Sequence, residues 1–579
     1  MEMRFRMRKL LRYMKQYRKE SILAPLFKLL EATFELFVPL VMASIIDEGI
    51  ANEDYGHIAK MGGILFLLAV VGLAMALTAQ YFAAKAAVGF SAKLKHELFG
   101  HIQKLSFGDM DRIGTSTMIT RMTSDVNQVQ NGVNLVLRLF LRSPFIVLGA
   151  MVMAFTIDVK AALVFVVAIP LLSIVVFGVM IASIPLYKRV QGALDTILGR
   201  TRENLTGARV LRAFHKEDEE REKFTEENDA LNHVQQVVGR ISALMNPVTF
   251  VIINGAVIAL IWIGAIHVDN GILTQGEVVA LVNYMSQILV ELVKLANLIV
   301  SVNKAVACGN RIQELFETEP GLVSGKEEDT SPRSLAPVVF DKVSLTYPGA
   351  AEESLTDISF SAGRGEMIGI IGGTGSGKTS LVHLIPRFYD ITKGSLTLGG
   401  ENVSAMNLRE LRGRIGVVLQ KSVLFQGTIR SNLLWGKEDA TEEEMWEALR
   451  IAQAEEIVKK KAKGLDEPVE QEGRNFSGGQ RQRLAIARAL VGKPEILILD
   501  DSASALDYAT DANLRRAIRE SLNTTVFVVS QRAASVRNAD KIIVLEDGCV
   551  VGTGTHNQLI DTCGVYREIY ESQYGKGAR

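Results

Sequence analysis

The sequence predicts an α-helical membrane domain of six spans followed by an α/β domain, and three observations predict it. The long uncharged runs all lie in the first half of the chain, before residue 310. Strand-like and helix-like patterns alternate in the second half, the mark of an α/β domain. Between one such strand and helix stands GGTGSGKT, a glycine-rich loop of defined spacing. At 579 residues the chain is too long for one ordinary domain. Its 64 Lys+Arg balance 64 Asp+Glu, which argues against a general nucleic-acid binder, since those are strongly basic.

A helix crossing a bilayer needs about 20 mainly apolar residues. Six stretches qualify: 22–46, 61–84, 135–156, 161–185, 243–265 and 278–302. Glu31 and Glu35 interrupt the first, and Glu291 and Lys294 the last. Ionisable residues inside a span face a bundle interior or a watery cavity; helix ends and structural pairing are the alternative. Asn283, Gln287, Glu291, Lys294 and Asn297 together predict a wet cavity beside the sixth span.

Orientation follows from the Lys/Arg bias of the connections. Segments 85–134 and 186–242 are long, polar and rich in Lys and Arg, whereas 47–60, 158–160 and 267–275 are short and mostly acidic. Both termini and the long connections are therefore expected in the cytoplasm. The basic N-terminus reads as an amphipathic surface helix, with Phe5, Leu10, Leu11, Met14 and Tyr17 near one face. The long connections are helical by pattern and reverse in polar turns at 106–117 and 206–220. Docking onto a cytoplasmic domain and a solvated hairpin both fit that composition. Residues 1–316 form the expected membrane domain, 317–336 a charged linker with Gly and Pro, and 337–579 the α/β domain. Cys308, Cys549 and Cys563 have no metal-ligand spacing and read as free thiols.

Gly372, Gly373, Thr374, Gly375, Ser376, Gly377, Lys378 and Thr379, followed by Ser380, match GxxxxGK[ST] between an apolar strand and a helix. That is the context a P-loop requires. Its backbone N–H groups wrap a β-phosphate, Lys378 reaches the β- and γ-phosphates, and Thr379 offers a hydroxyl to Mg²⁺. The cofactors expected are thus ATP and Mg²⁺. Tyr347 in LTYPG is a candidate adenine platform, and Gln420, after IGVV, a candidate partner for the metal or its water. Asp500 closes the apolar strand ILILD where a magnesium ligand is expected. Ser477, Gly478, Gly479 and Gln480 precede an Arg-rich helix and form a second anion-grasping edge. With one P-loop already present, that edge makes sense if it closes over the nucleotide of another copy.

The P-loop, SGGQ and the ILILDD strand behind six spans resemble an ABC exporter half-transporter. The resemblance covers nearly the whole chain. It implies two interlocked membrane domains and two nucleotide domains sandwiching two ATPs head to tail. Each ATP would lie between one subunit's P-loop and the other's SGGQ. It also implies that the polar turns are coupling helices, near 107–117 and 209–216.

Two positions depart from the family pattern. Asp501 stands where the family has Glu as general base, one methylene longer, and Gln531 stands at the switch position of a His. A third departure, VEQEG at 469–473, replaces a Gly-Glu-Arg-Gly run. Gln can donate a hydrogen bond but carries no charge. A chain with an intact SGGQ and these two changes resembles the degenerate-site subunit of bacterial heterodimeric multidrug ABC exporters. The implied partners are a second half-transporter, the membrane of a bacterial cell, and a small-molecule or lipid-like substrate. A homodimer with two slow sites, a lipid flippase, and a regulatory or channel-like subunit remain as alternatives.

Overall fold

The computed structural model describes residues 9–325, 334–502 and 506–575. The chain divides into two compact units, one of residues 1–103 with 116–318 and one of 104–115 with 319–579.

In the first unit, six helical segments are long and apolar enough to cross a membrane: Leu11–Ile50, Tyr55–Ile102, Thr115–Ile157, Val159–Thr206, Glu217–Asp269 and Gln275–Glu317. They are 40 to 53 residues long, so at about 1.5 Å per residue they outreach a hydrocarbon core of about 30 Å. The expected amphipathic N-terminal helix is a 3₁₀ stretch at Leu11–Tyr17. Leu10, just before it, is buried and Leu11 is exposed; Phe5 lies outside the described residues. The acidic short connections act as clamps. Asp47 accepts from the Thr274 hydroxyl at 2.6 Å and the Gly276 N–H at 2.7 Å, joining the ends of the first and sixth spans. Asp158 caps the fourth span through the Ala161 N–H at 2.7 Å. Small residues, among them Ala32, Ala43, Ala150, Ala154, Ala161 and Ala280, let the helices approach closely in the core.

The charges in the spans divide between the two readings. Glu31 pairs with Lys28 at 2.5 Å. Glu291, 3% exposed, accepts from Arg142 at 2.6 Å, the Ser143 hydroxyl at 2.7 Å and Lys294 at 2.8 Å. Arg142 also donates to Glu35 at 2.6 Å, while Glu35 and Lys294 line a groove beside the sixth span. Arg142, the hub of this network, sits within the stretch 135–156 that the sequence reading took as a plain span.

The second unit is built on a six-stranded sheet. Its strands are β1 (Met367–Gly372), β2 (Ile415–Val418), β3 (Ile496–Asp500), β4 (Thr525–Val529), β5 (Lys541–Glu546) and β6 (Cys549–Gly554). They lie in the order β6-β5-β1-β4-β3-β2. All pairs are parallel except β5 with β6. Every residue of β1, β3 and β4 is buried, as continuous apolar runs in a sheet covered on both faces must be. A smaller antiparallel sheet, containing Val338–Leu345 and Leu355–Ala362, packs its core against one face. The helix Phe107–Ile113 belongs to this unit. Ser106 and Asp109 cap it reciprocally; Phe107 lies 4.6 Å from the Phe388 ring, and Asp111 accepts from the Tyr389 hydroxyl at 2.7 Å. The other turn forms a short helix, Ala208–Ala213, with Val210 and Phe214 exposed.

Candidate functional site

The C-terminal ends of β1, β3 and β4 open into a cleft of about 690 Å³, where open α/β sheets place their ligands. The glycine-rich loop leaves β1 and turns into the helix Lys378–Leu384. Gly375 and Gly377 have φ of +85° and +90°, a region that favours glycine. A side chain at Gly377 would also press within 2.7 Å of Leu355. Lys378 donates to the carbonyls of Gly372 at 3.0 Å and Gly373 at 2.5 Å, and to Ser376 Oγ at 3.3 Å. Burial depresses its pKa, and Asp501 and Asp500 oppose that shift.

Thr379 donates its hydroxyl to Asp500 Oδ1 at 3.0 Å, so two of the three candidate metal ligands are already in contact. Asp500 is 1% exposed. Burial raises its carboxyl pKa and Asp501 adds to the rise, against Thr379 and Lys378. Asp501 is raised by burial too, against Arg532, Lys378 and a hydrogen bond from Gln420. Gln531 lines the same cleft with Thr374, Gly375, Gly377, Ser380, Gln420 and both aspartates. Among the described residues, no group of three or more His, Cys, Asp or Glu is placed to hold a metal ion. The oxygens of Thr379, Gln420 and Asp500 suit Mg²⁺, which takes one or two carboxylates and completes its shell with phosphate oxygens and water.

Tyr347 stands at the side of this cleft, not among its lining residues. Its hydroxyl donates to Ser380 Oγ at 2.8 Å, and its ring meets Tyr389 edge-on with centroids 4.9 Å apart. Ser477, Gly478, Gly479 and Gln480 also do not line the cleft. Ser477 and Gln480 cap the helix Gly478–Leu490 reciprocally, and Gly478 borders a neighbouring recess that shares Gln420 with the cleft and holds Lys421, Glu472, Arg474 and Arg481. Within one chain, the P-loop and SGGQ therefore serve different surfaces.

Sequence reading missed His383, Ser530 and Asp547. Ser530 and Asp547 line the cleft. His383 Nε2 lies 3.8 Å from Asp500 Oδ2, and burial lowers the pKa of its ring. The signal was available, since His383 follows Thr379 by four residues and so shares its helix face.

Residues 21–292 match the model of the ABC transporter transmembrane region, and residues 355–504 that of the ABC transporter family. An uncharacterised ABC transporter ATP-binding protein of Mycobacterium tuberculosis is 36% identical over 97% of both chains. YfiB, an uncharacterised Bacillus subtilis protein of the same description, is 36% identical over 98% of this chain and 99% of its own. YgaD of Bacillus subtilis, named for multidrug export as an ATP-binding/permease protein, is 31% identical over 98% of each. A solved bacterial Atm1-family ABC exporter with ATP bound aligns with a TM-score of 0.80 over 97% of this chain and 99% of its own. At 21% identity, that last likeness is one of fold.

Proposed function

This chain belongs to the ABC transporter family as an exporter half-transporter with fused transmembrane and ATP-binding domains, and from that premise we propose that it is one subunit of a heterodimer. It is a multi-pass membrane protein and an ATP-hydrolysing transporter. In the proposed complex its own ATP site, formed with Mg²⁺, binds well and cleaves slowly, while its SGGQ edge completes the partner's competent site. The cargo is a small amphipathic or lipid-like molecule, and the likeness to proteins named for multidrug export supports that class. The membrane is the bacterial plasma membrane, with the nucleotide domain and both termini in the cytoplasm.

One observation carries the reading: Asp501 and Gln531 both line the cleft of Lys378 and Asp500. A general base works within about 2.6–3.2 Å of its proton, and a shift of about 1 Å costs on the order of 100-fold. A carboxylate one methylene short, with an uncharged amide at the switch position, retains nucleotide binding and weakens cleavage. Thr379, Gln420 and Asp500 would hold a bound magnesium ion, which would supply positive charge against the phosphates. Lys378 holds phosphate, and Asp500, buried, with the half-buried Asp501 beside it, presents carboxylates that a dication offsets.

The test is magnesium-dependent ATPase activity of the purified chain, alone and then reconstituted with its co-expressed partner. ATP binding without turnover when alone, and turnover in the complex, supports the heterodimer. Brisk hydrolysis by the chain alone makes Asp501 a working base and the assembly a homodimer. ATP-dependent accumulation of cargo in inside-out vesicles separates a pump from an ATP-gated channel, which only equilibrates.

A further inference from the structure

Gln531 is held from outside the nucleotide cleft. It stands just past β4, on a loop that runs from Ser530 into the short helix Ala533–Val536. Ser530 is fully buried, and its N–H donates to the Ile370 carbonyl at 3.1 Å. Its hydroxyl accepts from the Arg532 N–H at 3.0 Å. The short helix has no cap of its own, since Arg532 at the N-cap position offers no side-chain acceptor. The first N–H groups of a helix need a partner from elsewhere.

Gln573 supplies that partner from 40 residues further along the chain. Its Oε1 accepts from the Ala533 N–H at 2.8 Å, and its Nε2 donates to the Gln531 carbonyl at 2.8 Å. The two bonds bracket Arg532 and fix the backbone on the C-terminal side of Gln531. A side-chain amide suits this task, because it presents an acceptor and a donor in one plane. The opposite amide orientation would set oxygen against the Gln531 carbonyl.

The support behind Gln573 is firm. It sits in the last turn of the helix Gly564–Tyr574, whose Tyr566 and Tyr570 are buried in the core. The Tyr566 hydroxyl meets His556 Nδ1 at 2.8 Å, and the Arg537 guanidinium lies 5.9 Å from the Tyr570 ring centroid. Arg537 directly follows the short helix, so the terminal helix grips both ends of the segment after Gln531. Gln573 itself does not line the cleft.

We infer that Gln573 is a positioning residue for Gln531, holding the loop so that the Gln531 amide is ready to donate to a γ-phosphate. Preorganisation matters most for a neutral donor, because ordering a loop on binding subtracts from the one hydrogen bond it makes. The inference rests on reading Gln531 as the switch residue of this chain's own ATP site.

The experiment uses the full-length chain in lipid nanodiscs with magnesium. AMP-PNP, which carries a γ-phosphoryl group and resists hydrolysis, and ADP, which lacks one, are each titrated by displacement of a fluorescent trinitrophenyl nucleotide. Gln573→Ala is expected to raise the AMP-PNP Kd several-fold, up to about the tenfold scale of one hydrogen bond. The ADP Kd should stay unchanged, which doubles as a check of folding. Gln531→Ala should behave alike, and Gln531→Ala/Gln573→Ala should match Gln531→Ala alone. Without nucleotide, hydrogen exchange of segment 531–536 should quicken in Gln573→Ala. Equal losses for both nucleotides would mark a merely structural role, and additive losses in the double variant an independent one; either overturns the inference. So does unchanged AMP-PNP binding or unchanged exchange in Gln573→Ala. If Gln531→Ala binds both nucleotides like the wild type, the switch reading falls and takes the inference with it. A loss in Gln531→Ala but not in Gln573→Ala sinks the inference alone.

Discussion

Glu291 in the sixth span and Asp500 at the end of β3 are almost equally hidden, at 3% and 1% exposed, yet their surroundings treat them in opposite ways. Glu291 accepts from an arginine, a lysine and a hydroxyl. Asp500 has one hydroxyl bond, from Thr379, with a second carboxylate as its neighbour in sequence. A buried charge that its own protein neutralises completely holds the fold together. One left in deficit is arranged for a cation that comes and goes. The two regions thus separate a permanent electrostatic joint from a working one.

The largest effect that would break this contrast is at Arg142. Removing one partner of a buried ion cluster leaves uncompensated charge and costs about 3–5 kcal/mol. Arg142→Met is expected to lose that much, seen as a marked fall in the thermal midpoint in detergent. The double variant Arg142→Met/Glu291→Met should recover much of it, because apolar replacement of a whole pair is often neutral. A neutral single variant would show that the network is solvated and holds nothing.

Asp500→Asn should move the other way and by less. Burial raises the Asp500 carboxyl pKa above its unfolded value. Between those two values the native state holds more protons than the unfolded chain, so stability rises as pH falls through that window. It is lost again as pH rises through the folded pKa. Without nucleotide and with chelator, Asp500→Asn should therefore gain on the order of 1 kcal/mol at neutral pH, the usual size of a single-site change. Its stability should also depend less on acid. The same variant should lose magnesium-dependent ATP binding. Destabilisation at neutral pH without ligand would mean that Asp500 is as well neutralised as Glu291, and the distinction would fall.

How much of each region was legible in the sequence follows the same divide. The P-loop is local: its glycines, Lys378 and Thr379 are consecutive, and phosphate chemistry dictates their spacing. Asp500 and Gln420 were legible because each ends an apolar strand run. The membrane cluster is not local. Arg142 meets Glu35 and Glu291 across separations of 107 and 149 residues, so no local pattern announces the cluster. Similarly, Tyr389 and Asp111 lie 278 residues apart, so only the fold could choose between docking and a solvated hairpin for the first polar turn. SGGQ read as an anion edge for the nucleotide of another copy, because the P-loop already serves the chain's own phosphates.

The smallest expected effect is at the residue after Asp500. Asp501→Glu restores the missing methylene, yet it should raise turnover by less than about tenfold, a barrier change below about 1.4 kcal/mol. Two features limit the gain. Gln531 still carries no charge, so the switch position stays incomplete. Asp501 also sits at φ +46° with its N–H bonded to the Val529 carbonyl at 3.0 Å. Asp tolerates that left-handed conformation better than most side chains, so the longer acid adds backbone strain where reach is needed. Steady-state ATPase of Asp501→Glu, Gln531→His and the double variant measures this directly. A double gain larger than the product of the single gains would show that base and switch act as one unit. Full recovery from Asp501→Glu alone would place the whole deficit in one methylene and remove Gln531 from the account.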